Sequence, residues 1–201
     1  GNIRSEVTLG VGLKIPIGSH TDTMEIRPDI WNLIPPTIQL STGGTDLMFY
    51  SFFFREYKKQ KLRFFVNSLY IKKGYNSLDE KFGDYTSISL FASRKLSRNW
   101  GLTTQLKAEK VGQLQIRQSK LIELLFFDSW ETEALLDKQK ATGSKKWFFI
   151  PQLSYSQNGI TVFATSEIPL YQYLNGKQIG SKQQFTFGVN YRFLTKECED
   201  P

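Results

Sequence analysis

Cysteine and histidine are almost missing from this chain, which has one of each, Cys198 and His20, in 201 residues. A lone thiol cannot close an intrachain disulfide. One thiol and one imidazole cannot build a Cys/His zinc site or an iron–sulfur centre. There is no initiator Met and no basic stretch leading into an apolar segment, so the sequence reads as a mature chain or a fragment. No run approaches the ~18–20 consecutive apolar residues of a membrane helix. Acidic residues are fewer than basic ones, 19 against 26, for a net charge of +7. The excess cations are scattered, with no basic stripe on a recognisable module, which argues against a nucleic-acid partner. What is abundant is Phe, at 16 residues, within an aromatic content of 14%. The length suits a single domain.

The dominant pattern is apolar–polar alternation with period two, interrupted by turn residues. Eight runs carry it: Glu6–Gly18, Asp46–Tyr57, Leu62–Lys73, Tyr85–Leu96, Gly101–Val111, Lys146–Ser156, Ile160–Tyr171 and Gln184–Leu194. Ordinary strands centre on roughly 5–6 residues and membrane-spanning ones need ~9–11. These runs have the longer span. The links Lys58–Lys61, Ser97–Trp100 and Gln157–Gly159 are short, whereas Ser19–Thr45, Gly74–Asp84, Gly112–Lys145 and Gln172–Gln183 are long. Short and long links alternate, as in an all-β, antiparallel, up-and-down transmembrane β-barrel with tight turns at one end. Asn158-Gly159 is a two-residue hairpin signal.

One face of the last run carries Phe185, Phe187, Val189, Tyr191 and Phe193, and the other Thr186, Gly188, Asn190 and Arg192. The third, fifth and seventh runs divide the same way. A soluble barrel would turn the apolar face inward. Eight strands leave an interior only just filled by side chains, which four or five large apolar residues per strand would overfill. The apolar face is therefore expected outward, with Tyr57, Tyr70, Trp100, Trp147, Tyr155, Tyr171 and Phe193 near strand ends as interfacial girdles. The inward set is then Lys14, Arg63, Lys107, Glu109, Glu167 and Arg192, the candidate lumen-lining residues. Rings of mixed charge can select solutes. The same residues can equally fill a closed interior as a salt-bridge network, since buried charges must be paired.

Several local features have weaker readings. Arg55, Lys58, Lys59 and Lys61 crowd one tight turn, and Arg94, Lys95 and Arg98 flank the next. They would either meet anionic headgroups or simply be solvated. Leu114–Lys140 departs from alternation, and Asp128 or Ser129 followed by Trp130–Asp137 suggests a short loop helix, either a plug or a rim element. His20, with Ser19, Asp22 and Glu25 nearby, has the residue types of a rim hydrolase or a cation site, and equally those of a polar loop. Gly43-Gly44 lacks the Lys-Ser/Thr of a phosphate loop. Cys198 lies in an acidic tail. No catalytic residue, metal or cofactor is expected, and the chain is not expected to be an enzyme.

The phrases Gly10-Val-Gly-Leu-Lys-Ile-Pro-Ile-Gly18, Pro35-Pro-Thr-Ile-Gln-Leu-Ser-Thr-Gly-Gly-Thr-Asp46, Lys81-Phe-Gly-Asp84, Ser93-Arg-Lys-Leu-Ser-Arg-Asn-Trp-Gly101 and Phe185-Thr-Phe-Gly-Val-Asn-Tyr-Arg-Phe193 resemble the outer-membrane transporter-like β-barrels of Gram-negative bacteria, which are related to the meta-pathway phenol-degradation family. Pro169-Leu-Tyr-Gln-Tyr-Leu-Asn-Gly176 shares the resemblance, which spans roughly Val7 to Phe193. It implies an outer-membrane location and a porin-like passive channel or transporter for small solutes or ions. A structural or loop-binding barrel, and a lipid-modifying rim enzyme, are the other readings. It also implies lipids and lipopolysaccharide as partners, and further strands ahead of the Lys-Ile-Pro segment. On this reading residues 1–195 are the barrel domain, either whole or the C-terminal part of a larger one, and 196–201 a flexible tail.

Overall fold

The computed structural model describes residues 2–34, 38–120, 122, 136–137 and 139–193. Its strands are β1 (Ile3–Lys14), β2 (Thr23–Arg27), β3 (Ile30–Leu33), β4 (Asp46–Tyr57), β5 (Leu62–Lys72), β6 (Glu80–Lys81), β7 (Tyr85–Lys95), β8 (Trp100–Val111), β9 (Gln115–Ile116), β10 (Ser144–Gln157), β11 (Ile160–Leu174) and β12 (Gln184–Tyr191). Eight of them, in the order β1-β4-β5-β7-β8-β10-β11-β12, form one antiparallel sheet. These eight are the alternating runs of the sequence, with ends moved by a few residues. β2 and β3 make a hairpin within the first long link, and β6 pairs with β9 across the second and third.

The turns follow from local chemistry. Asn158 and Gly159 both take positive φ, 49° and 80°, the backbone that a two-residue hairpin loop between twisted strands requires. At the next turn along the same end, Leu96 N–H donates to the Trp100 carbonyl at 3.0 Å, and Trp100 N–H donates to Ser97 Oγ at 3.2 Å. At the opposite end the long links hold one another. Gly112 N–H bonds the Asp84 carbonyl, Arg117 N–H bonds the Asp79 carbonyl, and Leu114 and Ile116 are buried beneath them.

Register carries the face assignment across the whole sheet. Val7, Leu9, Val11 and Leu13 of β1 pair with Phe53, Ser51, Phe49 and Leu47 of β4. The same face runs on through Tyr70, Val66 and Phe64, then Ile88 and Leu90, Leu106, Trp147 and Leu153, to Phe185, Phe187, Val189 and Tyr191. Most of this row is exposed. The opposite face shelters its own side chains: Phe148 is 3% exposed, against 59% for its neighbour Trp147. Ile150 and Ser89 are buried there as well. An uncovered sheet buries one face in this way by curling around it.

The curl does not close. Among the described residues β1 pairs only with β4 and β12 only with β11, so the sheet they form has two free edges. The expected closed eight-stranded transmembrane barrel is therefore corrected to an open, mostly antiparallel sheet. With no closed wall there is no lumen. The channel, transporter and porin-like readings fall with it, as do the structural-barrel alternative and the outer-membrane location drawn from the barrel. The physical reason lies on the inner face. Alongside the expected polar residues it carries Phe52, Phe54, Phe65, Phe91 and Phe148, with ring centroids 5.2 Å apart for Phe65–Phe91 and 6.1 Å for Phe54–Phe65. A closed eight-stranded wall has room for little more than a packed set of side chains. This row of rings, beside Lys107 and Glu109, adds large side chains to the face that a closed wall would have to enclose and that the barrel reading took as polar.

Two further expectations meet the structure in part. Residues 118–120, 122, 136–137 and 139–140 are helical, and most of the expected loop helix, Asp128–Ala134 included, lies outside the described residues. So do Cys198 and the rest of the tail. No helix among the described residues is long and apolar enough to cross a membrane.

Candidate functional site

Five of the six candidate charged residues, Lys14, Arg63, Lys107, Glu109 and Glu167, occupy the inner face by register. They do not converge on one ring. Lys14, Arg63 and the Lys107–Glu109 pair fall into three groups along the strands, each with its own partner, and Glu167 reaches Lys107 only as a more distant charge.

At the long-loop end, Lys14 lies 3.8 Å from Asp46, which is 1% exposed and is held more closely by Lys73 Nζ at 2.7 Å and by the Gly74 N–H at 3.3 Å. This carboxylate ties the end of β1 to the start of β4 and to the link after β5. Asp84 does similar work one strand along, accepting the Lys73 N–H at 2.8 Å and pairing with Lys81 at 3.3 Å. Burial pushes the Asp84 carboxyl up, but these bonds and the Lys81 charge outweigh it and hold it below its ordinary value.

Further in from the same end, in the long-loop half of β7 and β8, Lys107 Nζ pairs with Glu109 at 2.6 Å, and Tyr85 OH donates to the same carboxylate at 2.9 Å. Burial alone would raise the Glu109 carboxyl. Its bonds to Lys107 and Tyr85, with the charges of Lys107 and Lys146, bring it below the ordinary range. Burial likewise disfavours the Lys107 ammonium, yet Glu109 and the more distant Tyr85 and Glu167 raise it. The Tyr85 hydroxyl is raised by burial and by Glu109. Lys107 also lies 5.7 Å from the Phe148 ring centroid, directly across the strand pair. The group is a satisfied ion pair.

At the tight-turn end the balance is different. A recess of about 440 Å³ is bordered by Lys58, Lys61, Arg63, Arg94, Lys95 and Arg98, with Trp100 at its rim. Its one carboxylate, Glu56, is taken by Arg63 at 2.8 Å. Among the described residues Lys58, Lys61, Arg94, Lys95 and Arg98 have no carboxylate partner. β5 pairs with β7, so the β4–β5 and β7–β8 turns lie side by side, and Lys95 N–H donates to the Lys61 carbonyl at 3.3 Å. The sequence shows two basic turns separately. Neighbouring hairpins of a meander bring the two together, and that meander order was the signal for finding the recess.

Arg192, the remaining candidate, stands apart. It follows β12 and donates its backbone N–H to the Gly159 carbonyl at 2.8 Å. His20 Nε2 lies 2.8 Å from Ser77 Oγ, while Ser19 Oγ donates to Asp22 at 2.6 Å and Asp29 N–H donates to Glu25. The carboxylates thus serve other partners, and the described residues assemble no Ser–His–acid relay. Nor do they bring three metal-ligating side chains together.

Comparison with protein-family models, with curated proteins and with solved structures finds no match to this chain. The resemblance to outer-membrane transporter-like barrels, which rested on loop and turn phrases, is therefore corrected along with the closed barrel it implied.

Proposed function

We propose that this chain is a non-enzymatic assembly module whose sheet is extended at its free edges by a second copy, β12 of one molecule lying against β1 of the next. The observation that carries this reading is β12 itself. Gln184-Phe-Thr-Phe-Gly-Val-Asn-Tyr191 has no charge and no Pro, and one of its sides is unpaired. Edge strands that stay single are normally guarded by Lys, Pro, bulges or covering loops. This one carries none of the sequence guards.

The geometry of the two edges supports the pairing. Eight strands in a row have seven junctions, all antiparallel, so β12 runs opposite to β1. A β12–β1 junction between copies is then antiparallel like every other. Val7, Leu9 and Val11 lie on the same face as Phe185, Phe187 and Val189, so the junction continues the apolar row without a break. Phe187 and Val189 are 78% and 71% exposed, more than the central members of that row, because each lacks a neighbour on one side.

The test is F187K/V189K. Both side chains are exposed, so the substitution places charge on the edge without disturbing packing. Light scattering on the wild type should give a mass of two or more copies, with slow amide exchange on the outer sides of β1 and β12. The variant should be monomeric, with fast exchange there. A wild type that stays monomeric at high micromolar concentration refutes the proposal.

A further inference from the structure

The basic recess at the tight-turn end has a property that the assembly reading does not use. Six cationic side chains border it and its single carboxylate is already paired. Like charges brought together on adjacent turns repel, and a concave site with low-dielectric walls focuses their field. Surface cations in most folds are interspersed with carboxylates. Here the backbone fixes the opposite arrangement. The Lys95–Lys61 main-chain bond holds the two turns in contact, and Ser156 N–H donates to the Asn99 carbonyl at 2.8 Å, anchoring the second turn to β10. The cations are therefore presented by rigid hairpin ends rather than by a free loop.

We infer that this recess is a binding site for a polyphosphorylated group. Several phosphate oxygens spread over a few ångströms match a set of separate ammonium and guanidinium heads. Arg adds bidentate geometry, and each bond is charge-assisted. A single carboxylate would engage only one or two of the six. A volume of about 440 Å³ accommodates two or three linked phosphates with part of their carrier. Arg63 is already committed to Glu56, so the burden falls on Lys58, Lys61, Arg94, Lys95 and Arg98. The group has two sources, a free polyphosphate or the multiply phosphorylated headgroup of a lipid, and both offer the same chemistry to the recess.

The experiment is calorimetric titration with inorganic tripolyphosphate at low salt, on the wild type and two double variants. K95Q/R98Q should weaken binding tenfold or more. K177Q/K182Q, which removes equal charge from the link between β11 and β12, should leave it within twofold. Raising salt to 0.5 M should weaken wild-type binding strongly, because screening acts on these exposed charges. Sedimentation with phosphatidylcholine vesicles containing a phosphatidylinositol bisphosphate then identifies the source. Vesicle binding displaced by tripolyphosphate means that the recess takes a headgroup, and tripolyphosphate binding without vesicle binding means a free ligand. No heat with tripolyphosphate, or equal losses in the two double variants, overturns the site.

Discussion

Asp46 offers a test of how the sheet is held, because one carboxylate meets two lysines of unequal burial. Lys73 is 17% exposed and 2.7 Å away, whereas Lys14 is 49% exposed and 3.8 Å away. Removing one partner of a buried pair strands the other charge and costs about 3–5 kcal/mol. Removing a half-exposed partner at longer range costs about 0–1 kcal/mol. K73M should therefore destabilise the protein several times more than K14M, although both substitutions delete one cation from the same carboxylate. With a urea m value of about 2 kcal/mol/M, the K73M midpoint should fall by about 1.5–2.5 M and that of K14M by less than about 0.5 M. Urea titrations followed by tryptophan fluorescence measure both. D46N/K73M should recover part of the K73M loss, since the buried charge is then gone. If K14M costs as much as K73M, or if K73M costs less than about 1 kcal/mol, the clasp is not held by the buried pair and the reasoning fails.

Two other outcomes follow from named geometry. Glu109 and Asp84 titrate below their ordinary values in the fold, so their contribution is present at neutral pH and is lost as pH falls through those lowered values. The stability curve should drop at acid pH, below the usual carboxylate range of about 4.3, and E109Q should make that limb shallower. An unchanged limb in E109Q would remove Glu109 from the account. Gly159 sits at φ 80°, and a Cβ there would lie 2.7 Å from the Arg192 carbonyl oxygen, so G159A should cost at least about 1–2 kcal/mol in a melting experiment. Gly10, whose added Cβ would meet only Tyr50 at 3.8 Å, is the control and should tolerate Ala.

Period-two alternation located all eight strands of the main sheet, because the two faces differ in polarity along most of each run, and that difference is written residue by residue. β4, Asp46–Tyr57, was read with both of its ends in place, since Asp46 and Tyr57 border turn segments that cannot continue a strand. Closure was a different kind of inference. It depends on the volume enclosed, and thus on the face treated as polar. Phe52, Phe54, Phe65 and Phe91 sit at polar-face positions, and all but Phe91 lie in stretches of consecutive Phe, Phe52–Phe54 and Phe64–Phe65. Consecutive aromatics erase the alternation, so the face they share is visible only once cross-strand register is known. Turn phrases such as Ser97-Arg-Asn-Trp100 report hairpin chemistry that any antiparallel meander needs, which is why they carried a family resemblance further than the fold allowed.

The charged residues show the same division between local and long-range information. Lys107 and Glu109 are two apart on one strand, so their shared face was legible, and their pairing followed from it. Lys73, the closest partner of Asp46, closes the third alternating run in the sequence but sits just past the end of β5 in the structure, and nothing in its sequence neighbourhood marks Asp46 as its partner. The basic turns were visible as two clusters some 30 residues apart, and only the order of the meander makes them one recess. That recess and the free edges occupy different parts of the sheet, the strand ends and the outer sides of β1 and β12. Charge on the β12 edge should therefore abolish assembly without changing anion binding. Neutralising Lys95 and Arg98 should do the reverse.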